Sequence, residues 1–175
     1  MTPDSRAPPR RKWAVLFVCM GNICRSPTAE AVFLQLAPAL APDLEFEVDS
    51  AATHDYHLGA PPDARSQRAA RQHGIDMSHL RARRLVAEDF ERFDWIVVMD
   101  ERNRSDALAL SPVDSSARVV RLLDYAPDQP LRDVPDPFYG KADDFAQVVG
   151  LIDAGVRGLI CALRAPPQPG RRVQQ

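Results

Sequence analysis

The feature that most constrains the fold is an apolar run near the N-terminus that stops abruptly at a short polar loop. The run WAVLFVC, residues 13–19, contains no charged residue and is rich in aliphatic and aromatic side chains. A strand buried on both faces has this composition, because helices cover both sides of a parallel sheet. The run therefore predicts a central parallel strand close to the start of the chain.

Further strands and helices alternate along the rest of the chain. The apolar patterns predict strands at residues 44–49, 95–99 and 118–123. Helical spacing and capping residues predict helices that begin at Pro27 and that cover residues 63–73, 86–92, 102–110 and 145–163. This alternation predicts an α/β three-layer sandwich with a central four-stranded parallel sheet. Ligands of such folds bind beyond the carboxyl ends of the strands, so the loop after the first strand is the predicted site.

The charge distribution separates an acidic central region from two short basic ends. Of the 22 basic and 24 acidic side chains, six basic and one acidic lie in residues 1–12 and 165–175, which leaves residues 13–164 with a net charge of −7. We predict one domain over residues 13–164 with a disordered tail on each side. An acidic domain argues against nucleic acid as a partner, because binding nucleic acid requires a basic face.

Other sequence features concern location and metals. No uninterrupted apolar run approaches the 18 or so residues of a membrane helix, and no cleavage site follows the short run near the N-terminus. We expect no membrane association and a cytoplasmic protein, with secretion by a route without a signal peptide as the alternative. Three cysteines, an odd number, indicate reduced thiols. His54 and His57 lack two further ligands nearby, so we predict no metal and no cofactor.

The loop after the first strand carries the most unusual chemistry in the sequence. It runs CMGNICRSP from Cys19 to Pro27. A loop that winds into a helix can direct successive backbone N–H groups into one concave site, and Arg25 adds a planar fork that matches two phosphate oxygens. The expected ligands are inorganic phosphate and similar oxyanions. The predicted phosphate-binding residues are Met20, Gly21, Asn22, Ile23, Cys24, Arg25 and Ser26.

Cys19 is the predicted nucleophile of this loop. Backbone dipoles and Arg25 favour the thiolate in such a setting, and the thiolate can attack phosphorus to form a phosphocysteine. Ser26 is placed to hydrogen-bond the sulfur, Asn22 is expected to brace the loop, and Gly21 is expected to adopt a backbone conformation forbidden to other residues. A strand-end cysteine can also be a small packing residue, but the surrounding motif favours the nucleophile.

The segment from Val15 to Phe33 resembles the N-terminal part of the low-molecular-weight protein tyrosine phosphatases. The likeness continues at residues 50–52, 59–65, 98–100 and 134–140. The resemblance implies the four-stranded α/β sandwich predicted above. It also implies a metal-independent enzyme that hydrolyses phosphotyrosine in proteins through a two-step cysteinyl-phosphate mechanism.

The resemblance further implies a general acid and a redox partner. The loop at residues 127–137 offers Asp133 and Asp136, and the family has its acid at the Asp-Pro pair, which selects Asp136. One carboxyl can protonate the leaving group and then activate a water molecule. For Cys24 the resemblance favours a reversible disulfide with Cys19 that protects the nucleophile, although Cys24 could equally be a packing residue.

Three aromatic residues are predicted to form the walls of the substrate cleft. They are Tyr56, Phe138 and Tyr139. A deep cleft with aromatic walls selects phosphotyrosine over phosphoserine, because phosphotyrosine holds its phosphate farther from the peptide backbone. Phe138 departs from the usual Asp-Pro-Tyr-Tyr of the family, and the lost hydroxyl removes a phosphorylation site from that position.

Three other functions share this fold or loop. An arsenate reductase needs two further cysteines on a mobile segment, and none occurs between Arg25 and Ile160. A protein-arginine phosphatase typically has threonine where this chain has Ile23, whose apolar side chain suits an aromatic ring better. A silent module that only binds phosphorylated partners would be expected to lack Cys19 or Asp136, and both are present.

Overall fold

The computed structural model describes residues 10–165, in which four parallel strands form a single sheet. The strands are β1 (Arg11–Cys19), β2 (Leu44–Ala52), β3 (Trp95–Val98) and β4 (Arg118–Arg121). Their order across the sheet is β2–β1–β3–β4. The connections run in opposite directions on either side of β1, so a crevice opens where the carboxyl ends of β1 and β3 adjoin.

Five α-helices cover the two faces of the sheet and complete the predicted three-layer α/β sandwich. They are α1 (Arg25–Leu40), α2 (Ala64–Arg71), α3 (Asp89–Arg92), α4 (Glu101–Leu110) and α5 (Ala142–Arg164). Alternate residues of β1 contribute to two separate cores. Val15, Phe17 and Cys19 belong to the core formed with α1 and α5. Leu16 and Val18 belong to the core formed with Phe90, Phe93 and other residues near α3 and α4.

Several boundaries differ from the sequence predictions. β1 begins at Arg11, two residues before the predicted start of this strand at Trp13, because Arg11 and Lys12 pair with the start of β2. Helix α1 begins at Arg25, with Pro27 inside its first turn. The helix predicted over residues 86–92 forms only at Asp89–Arg92. The remainder of the two predicted tails, residues 1–9 and 166–175, lies outside the described residues.

The strand predicted over residues 118–123 ends at Arg121 and continues as a 3-10 helix, Leu122–Tyr125. This segment packs closely against α5 at two glycines. A Cβ on Gly155 would lie 2.6 Å from Leu122 Cγ, and one on Gly158 would clash with the Tyr125 carbonyl oxygen. The two glycines therefore allow α5 to approach this segment closely.

Helix α5 is the only helix in the described part of the chain that is long and apolar enough to cross a membrane. Half of its most apolar window is buried inside the protein. Most of its buried apolar residues belong to the core shared with β1 and α1, while Phe145 and Val149 belong to a smaller cluster with Ile23. We therefore interpret α5 as the core helix of the sandwich.

Candidate active site

The Cys19 sulfur lies at the base of the loop that joins β1 to α1. Its Sγ accepts a hydrogen bond from the backbone N–H of Asn22 at 3.3 Å and lies 3.0 Å from Ser26 Oγ. Cys19 is buried, with 2% of its surface exposed, yet it lines a cleft that opens to solvent. The loop therefore surrounds the sulfur with hydrogen-bond donors and leaves one open approach.

Unpaired backbone donors surround this approach. Helix α1 begins after Cys24 without a side-chain cap and has no acidic residue in its first turn. Within residues 10–165, the N–H groups of Met20, Gly21, Ile23 and Cys24 donate to no protein acceptor. Unpaired N–H groups at the start of a helix form a ready site for an anion.

The Asn22 side chain connects the loop to the body of the protein. Its amide nitrogen donates to Ser26 Oγ at 2.8 Å and to Ser50 Oγ at 2.9 Å, and its amide oxygen accepts from the backbone N–H of Arg83 at 3.0 Å. Asn22 also has a positive φ of 55°. Asparagine tolerates this left-handed conformation better than most residues do.

The prediction that Gly21 adopts a special backbone conformation is wrong, because the positive φ of this loop falls on Asn22. The need for glycine at position 21 is instead one of space. A Cβ there would lie 3.0 Å from Cδ2 of His57. A side chain at position 21 would therefore push against the imidazole ring.

Arg25 is almost completely buried and is held from three sides. Its Nη1 donates to Asp100 Oδ2 at 2.6 Å and to the Val134 carbonyl oxygen at 2.9 Å, while Nη2 lies 3.5 Å from Asp136 Oδ2. Burial alone would lower the pKa of the guanidinium, but the Cys19 sulfur and the two carboxylates outweigh it and raise the pKa. Arg25 thus remains charged in a fixed orientation beside the sulfur.

The sequence analysis assigned no role to Asp100, although this residue holds Arg25. Asp100 follows β3 and also caps α4, because its Oδ1 accepts from the backbone N–H of Asn103 at 2.7 Å. The carboxyl ends of β1 and β3 adjoin in the sheet, which brings Asp100 to the loop after β1. The predicted position of the site at the strand ends was the signal that could have located it.

The structure separates the two candidate general acids. Asp136 lines the cleft with Cys19, and its Oδ1 accepts from the backbone N–H of Phe138 at 3.2 Å. Asp133 is not part of that lining and lies 3.4 Å from Nη1 of Arg121. Of the two carboxyls, only Asp136 shares a cavity with the sulfur.

The cleft has a volume of about 140 Å³ and includes all three predicted wall residues. Tyr139 and Tyr56 form its rim, with 96% and 66% of their surfaces exposed. Phe138 lies deeper, between His57 (5.8 Å between ring centroids) and the Arg65 guanidinium (5.6 Å from the ring centroid). The residues that line the cleft are Cys19, Met20, Gly21, Ile23, Cys24, Arg25, Tyr56, His57, Asp136, Phe138 and Tyr139.

Two of the predicted phosphate-binding residues lie behind the loop. Asn22 and Ser26 are buried and do not line the cleft, and their side chains bond each other and their neighbours. Conversely, His57 lines the cleft although the sequence analysis weighed it only as a metal ligand. Within residues 10–165 no group of three potential ligands could hold a metal ion.

Cys24 lines the same cleft but is chemically distinct from Cys19. Burial is the main reason that the pKa of its thiol rises to about 12, with further contributions from Asp63, Cys19 and Asp136. Cys24 is consequently protonated at neutral pH. Both cysteines are free thiols in the structure.

A buried carboxyl, Glu30, lies behind the loop and is linked to it through Ser50. Ser50 Oγ donates to Glu30 Oε2 at 2.5 Å, and the same hydroxyl accepts from the Asn22 amide. Burial, with a smaller contribution from Asp49, raises the pKa of Glu30 from 4.5 to about 7. The folded protein therefore retains a proton that the unfolded chain releases above pH 4.5.

Because the folded-state pKa is raised, the stability from protonated Glu30 is complete below pH 4.5 and is lost as the pH rises through 7. Glu30→Gln, which stays neutral, is expected to gain up to about 3 kcal/mol in unfolding free energy relative to wild type between pH 5 and pH 8. Urea unfolding at both pH values measures this. Glu45→Gln, on the exposed side of β2, is the control. A pH-independent difference for Glu30→Gln would contradict the assignment.

Known proteins of one family are similar to this chain in sequence. The sequence profile of the low molecular weight phosphotyrosine protein phosphatases matches residues 14–168. The chain is 37% identical over 155 residues to low molecular weight protein-tyrosine-phosphatase YfkJ of Bacillus subtilis, covering 89% of this chain and 98% of that protein. It is 46% identical over 137 residues to the human low molecular weight phosphotyrosine protein phosphatase, covering 77% and 85%.

Solved structures share the fold. A protein tyrosine phosphatase from Entamoeba histolytica, with Hepes in its active site, superimposes with a TM-score of 0.82 at 32% identity, covering 86% of this chain and 96% of that one. A Drosophila arginine phosphatase has a TM-score of 0.79 at 28% identity, covering 87% and 99%. The profile match spans nearly the whole described region, from β1 to the end of α5. This chain belongs to the low molecular weight phosphotyrosine protein phosphatase family.

Proposed function

We propose that this protein is a phosphotyrosine phosphatase that acts on phosphoproteins through a cysteinyl-phosphate intermediate. The observation that carries the proposal is the convergence of Cys19, Arg25 and Asp136 on one cleft whose floor presents unpaired N–H groups. A nucleophile, a fixed cation and a carboxyl within one cavity are the three groups that phosphoryl transfer to sulfur requires.

In the first step the Cys19 thiolate attacks phosphorus, the S–P bond forms and the ester P–O bond breaks. The loop N–H groups and the Arg25 fork bind the non-bridging oxygens as charge develops on them. Asp136 donates its proton to the departing phenolate oxygen. Asn22 and Ser26 act from behind the loop, where Ser26 Oγ lies 3.0 Å from the sulfur and stabilises it as a thiolate.

In the second step water replaces the departed phenol and attacks the phosphocysteine. Asp136, now a carboxylate, accepts a proton from this water, and the S–P bond breaks to release inorganic phosphate and the Cys19 thiolate. The side chain of Asp136 is 44% exposed, so water reaches it from the cleft mouth. No metal takes part in either step of the proposal.

The cleft walls support an aromatic substrate. Tyr56 and Tyr139 stand at the rim and Phe138 lies below them, so a phosphorylated ring can reach the sulfur between aromatic faces. Ile23 adds an apolar side chain to the lining, which favours a phenyl ring over the charged guanidinium of phosphoarginine. We further propose that the protein acts in the cytoplasm.

Cys24 extends the proposal to redox protection. Oxidation of Cys19 by a peroxide gives a sulfenic acid, and condensation with the Cys24 thiol then forms a disulfide and releases water. Cys24 is buried beside the same cleft, which favours this pairing. Because its pKa is about 12, it remains a thiol and does not compete with Cys19 as a nucleophile.

The test compares the wild-type enzyme on three peptides of one sequence that carry phosphotyrosine, phosphoserine or phosphoarginine, with a metal chelator present. We expect kcat/KM for phosphotyrosine to exceed the other two by about 100-fold or more, because only that ring spans the cleft. Preference for phosphoarginine would support the rival phosphatase. Binding of all three without turnover would support the silent module.

A further inference from the structure

A second hollow adjoins the catalytic cleft on the side of β2 and α4. We call this hollow the side groove. It has a volume of about 600 Å³ and is open to solvent. Its lining includes Thr53, His54, Arg84, Val86, Asp106 and Leu110. The mechanism proposed above uses none of these residues.

Two stacked aromatic rings, those of His54 and Tyr56, separate the side groove from the cleft, and we call this pair the shared wall. The His54 ring stacks on the Tyr56 ring with centroids 5.2 Å apart and planes 14° apart. Tyr56 lines the cleft and His54 lines the side groove. A polypeptide that places a phosphotyrosine in the cleft can therefore reach the side groove by crossing this one pair of rings.

Hydrogen bonds fix the shared wall relative to the nucleophile. The backbone N–H of Thr53 donates to the Cys19 carbonyl oxygen at 2.9 Å, and that of His54 donates to the Met20 carbonyl oxygen at 3.0 Å. Thr53 Oγ1 lies 2.8 Å from His54 Nδ1 and orients the ring. The spacing between the side groove and the sulfur is consequently set by the loop itself.

Part of the lining of the side groove is apolar. Val86 and Leu110 line it and expose 43% and 42% of their surfaces, and the buried Leu85 lines it as well. Exposed aliphatic side chains in a concave site mark a place where another apolar group is bound.

A cationic group stands at the edge of the side groove. The Arg84 side chain is exposed, and its one ion pair among the described residues is a long contact of 3.9 Å to Asp55. Arg84 can therefore donate to a backbone carbonyl oxygen of a bound chain.

We propose that the side groove binds the substrate polypeptide beside the phosphotyrosine and takes up a large aliphatic side chain from it. An extended chain advances about 3.3 Å per residue, so two or three residues carry it across the shared wall. The preferred substrate then has leucine, or a residue like it, within three positions of the phosphotyrosine. This inference rests on the proposed phosphotyrosine phosphatase activity.

The test uses p-nitrophenyl phosphate, which has no flanking residues, beside phosphotyrosyl peptides in which one leucine is moved through the three positions on each side. The wild-type enzyme is expected to show a roughly 5- to 10-fold lower KM for at least one leucine position than for the all-alanine peptide. Leu110→Asp is expected to abolish that preference and to change p-nitrophenyl phosphate kinetics by less than about twofold. Val86→Asp is expected to do the same and serves as a second variant.

The matched control is Leu34→Asp, because Leu34 is 48% exposed on α1 and lines a different hollow. This control is expected to keep the leucine preference. Equal KM values for all peptides with the wild-type enzyme would overturn the inference and leave the phosphatase assignment intact. Loss of the preference in Leu34→Asp as well as Leu110→Asp would also overturn it. Failure of the wild type to hydrolyse p-nitrophenyl phosphate would instead refute the proposed function.

Discussion

Replacing Cys19 by serine is expected to lower kcat for p-nitrophenyl phosphate by about 10⁴-fold or more, with the fold preserved. The substitution exchanges one atom of a buried side chain that fills the same space. It removes the thiolate, and a serine hydroxyl keeps its proton at neutral pH and is a far weaker nucleophile. The loop N–H groups and Arg25 remain, so the variant should still bind phosphate.

Steady-state kinetics with a chelator present, together with phosphate binding by calorimetry, measures both parts of this prediction. The matched control is Cys161→Ser, a cysteine exposed on α5, whose activity should equal that of wild type. A kcat for Cys19→Ser within tenfold of the wild-type value would refute the assignment of Cys19 as the nucleophile. If the variant neither binds phosphate nor shows a cooperative unfolding transition, the substitution has instead prevented folding.

Replacing Asp136 by alanine is expected to slow hydrolysis of phenyl phosphates by about 10²- to 10⁴-fold, most strongly for those with poor leaving groups. A phenolate that is stable as an anion departs without a proton, whereas a basic phenolate needs the carboxyl. A plot of log kcat against the pKa of the leaving group should consequently become steeper in the variant. The structure supports this role because Asp136 shares the cleft with Cys19.

Asp133→Ala is the matched control for the general acid. Asp133 lies three residues earlier in the same loop, but its carboxylate pairs with Arg121 outside the cleft. Its kinetics should stay within a few-fold of wild type, with an unchanged leaving-group dependence. The general-acid role moves to Asp133 if that variant alone shows the steeper dependence.

Only some parts of the candidate site could be predicted from the sequence. The Cys19 loop is contiguous, so its strand, its turn and the helix that begins at Arg25 are all visible within one short segment. Asp136 lies more than a hundred residues after Cys19 in the chain. Residue type alone did not distinguish it from Asp133 as the general acid. The family resemblance chose between the two, and the structure then brought Asp136 to the cleft.

His57 and Asp100 show what sequence reasoning missed. His57 was weighed as a metal ligand, because its spacing from His54 was the only visible pattern. Besides the neighbouring Tyr56, its ring lies beside Gly21 and Phe138, which are both far from it in the chain. No local pattern records such contacts, since they depend on how separate loops meet above the sheet.

By itself, the sequence determined the alternating α/β architecture and the oxyanion loop, because both depend on the local order of apolar, small and charged residues. The tertiary structure alone decided what surrounds Arg25. Asp100 approaches it because β3 pairs beside β1. The segment that carries Val134 and Asp136 closes over the other side of the guanidinium. These contacts follow from the order of the strands in the sheet and from the need of a buried charge for polar partners. No single segment of the sequence specifies either of these two causes.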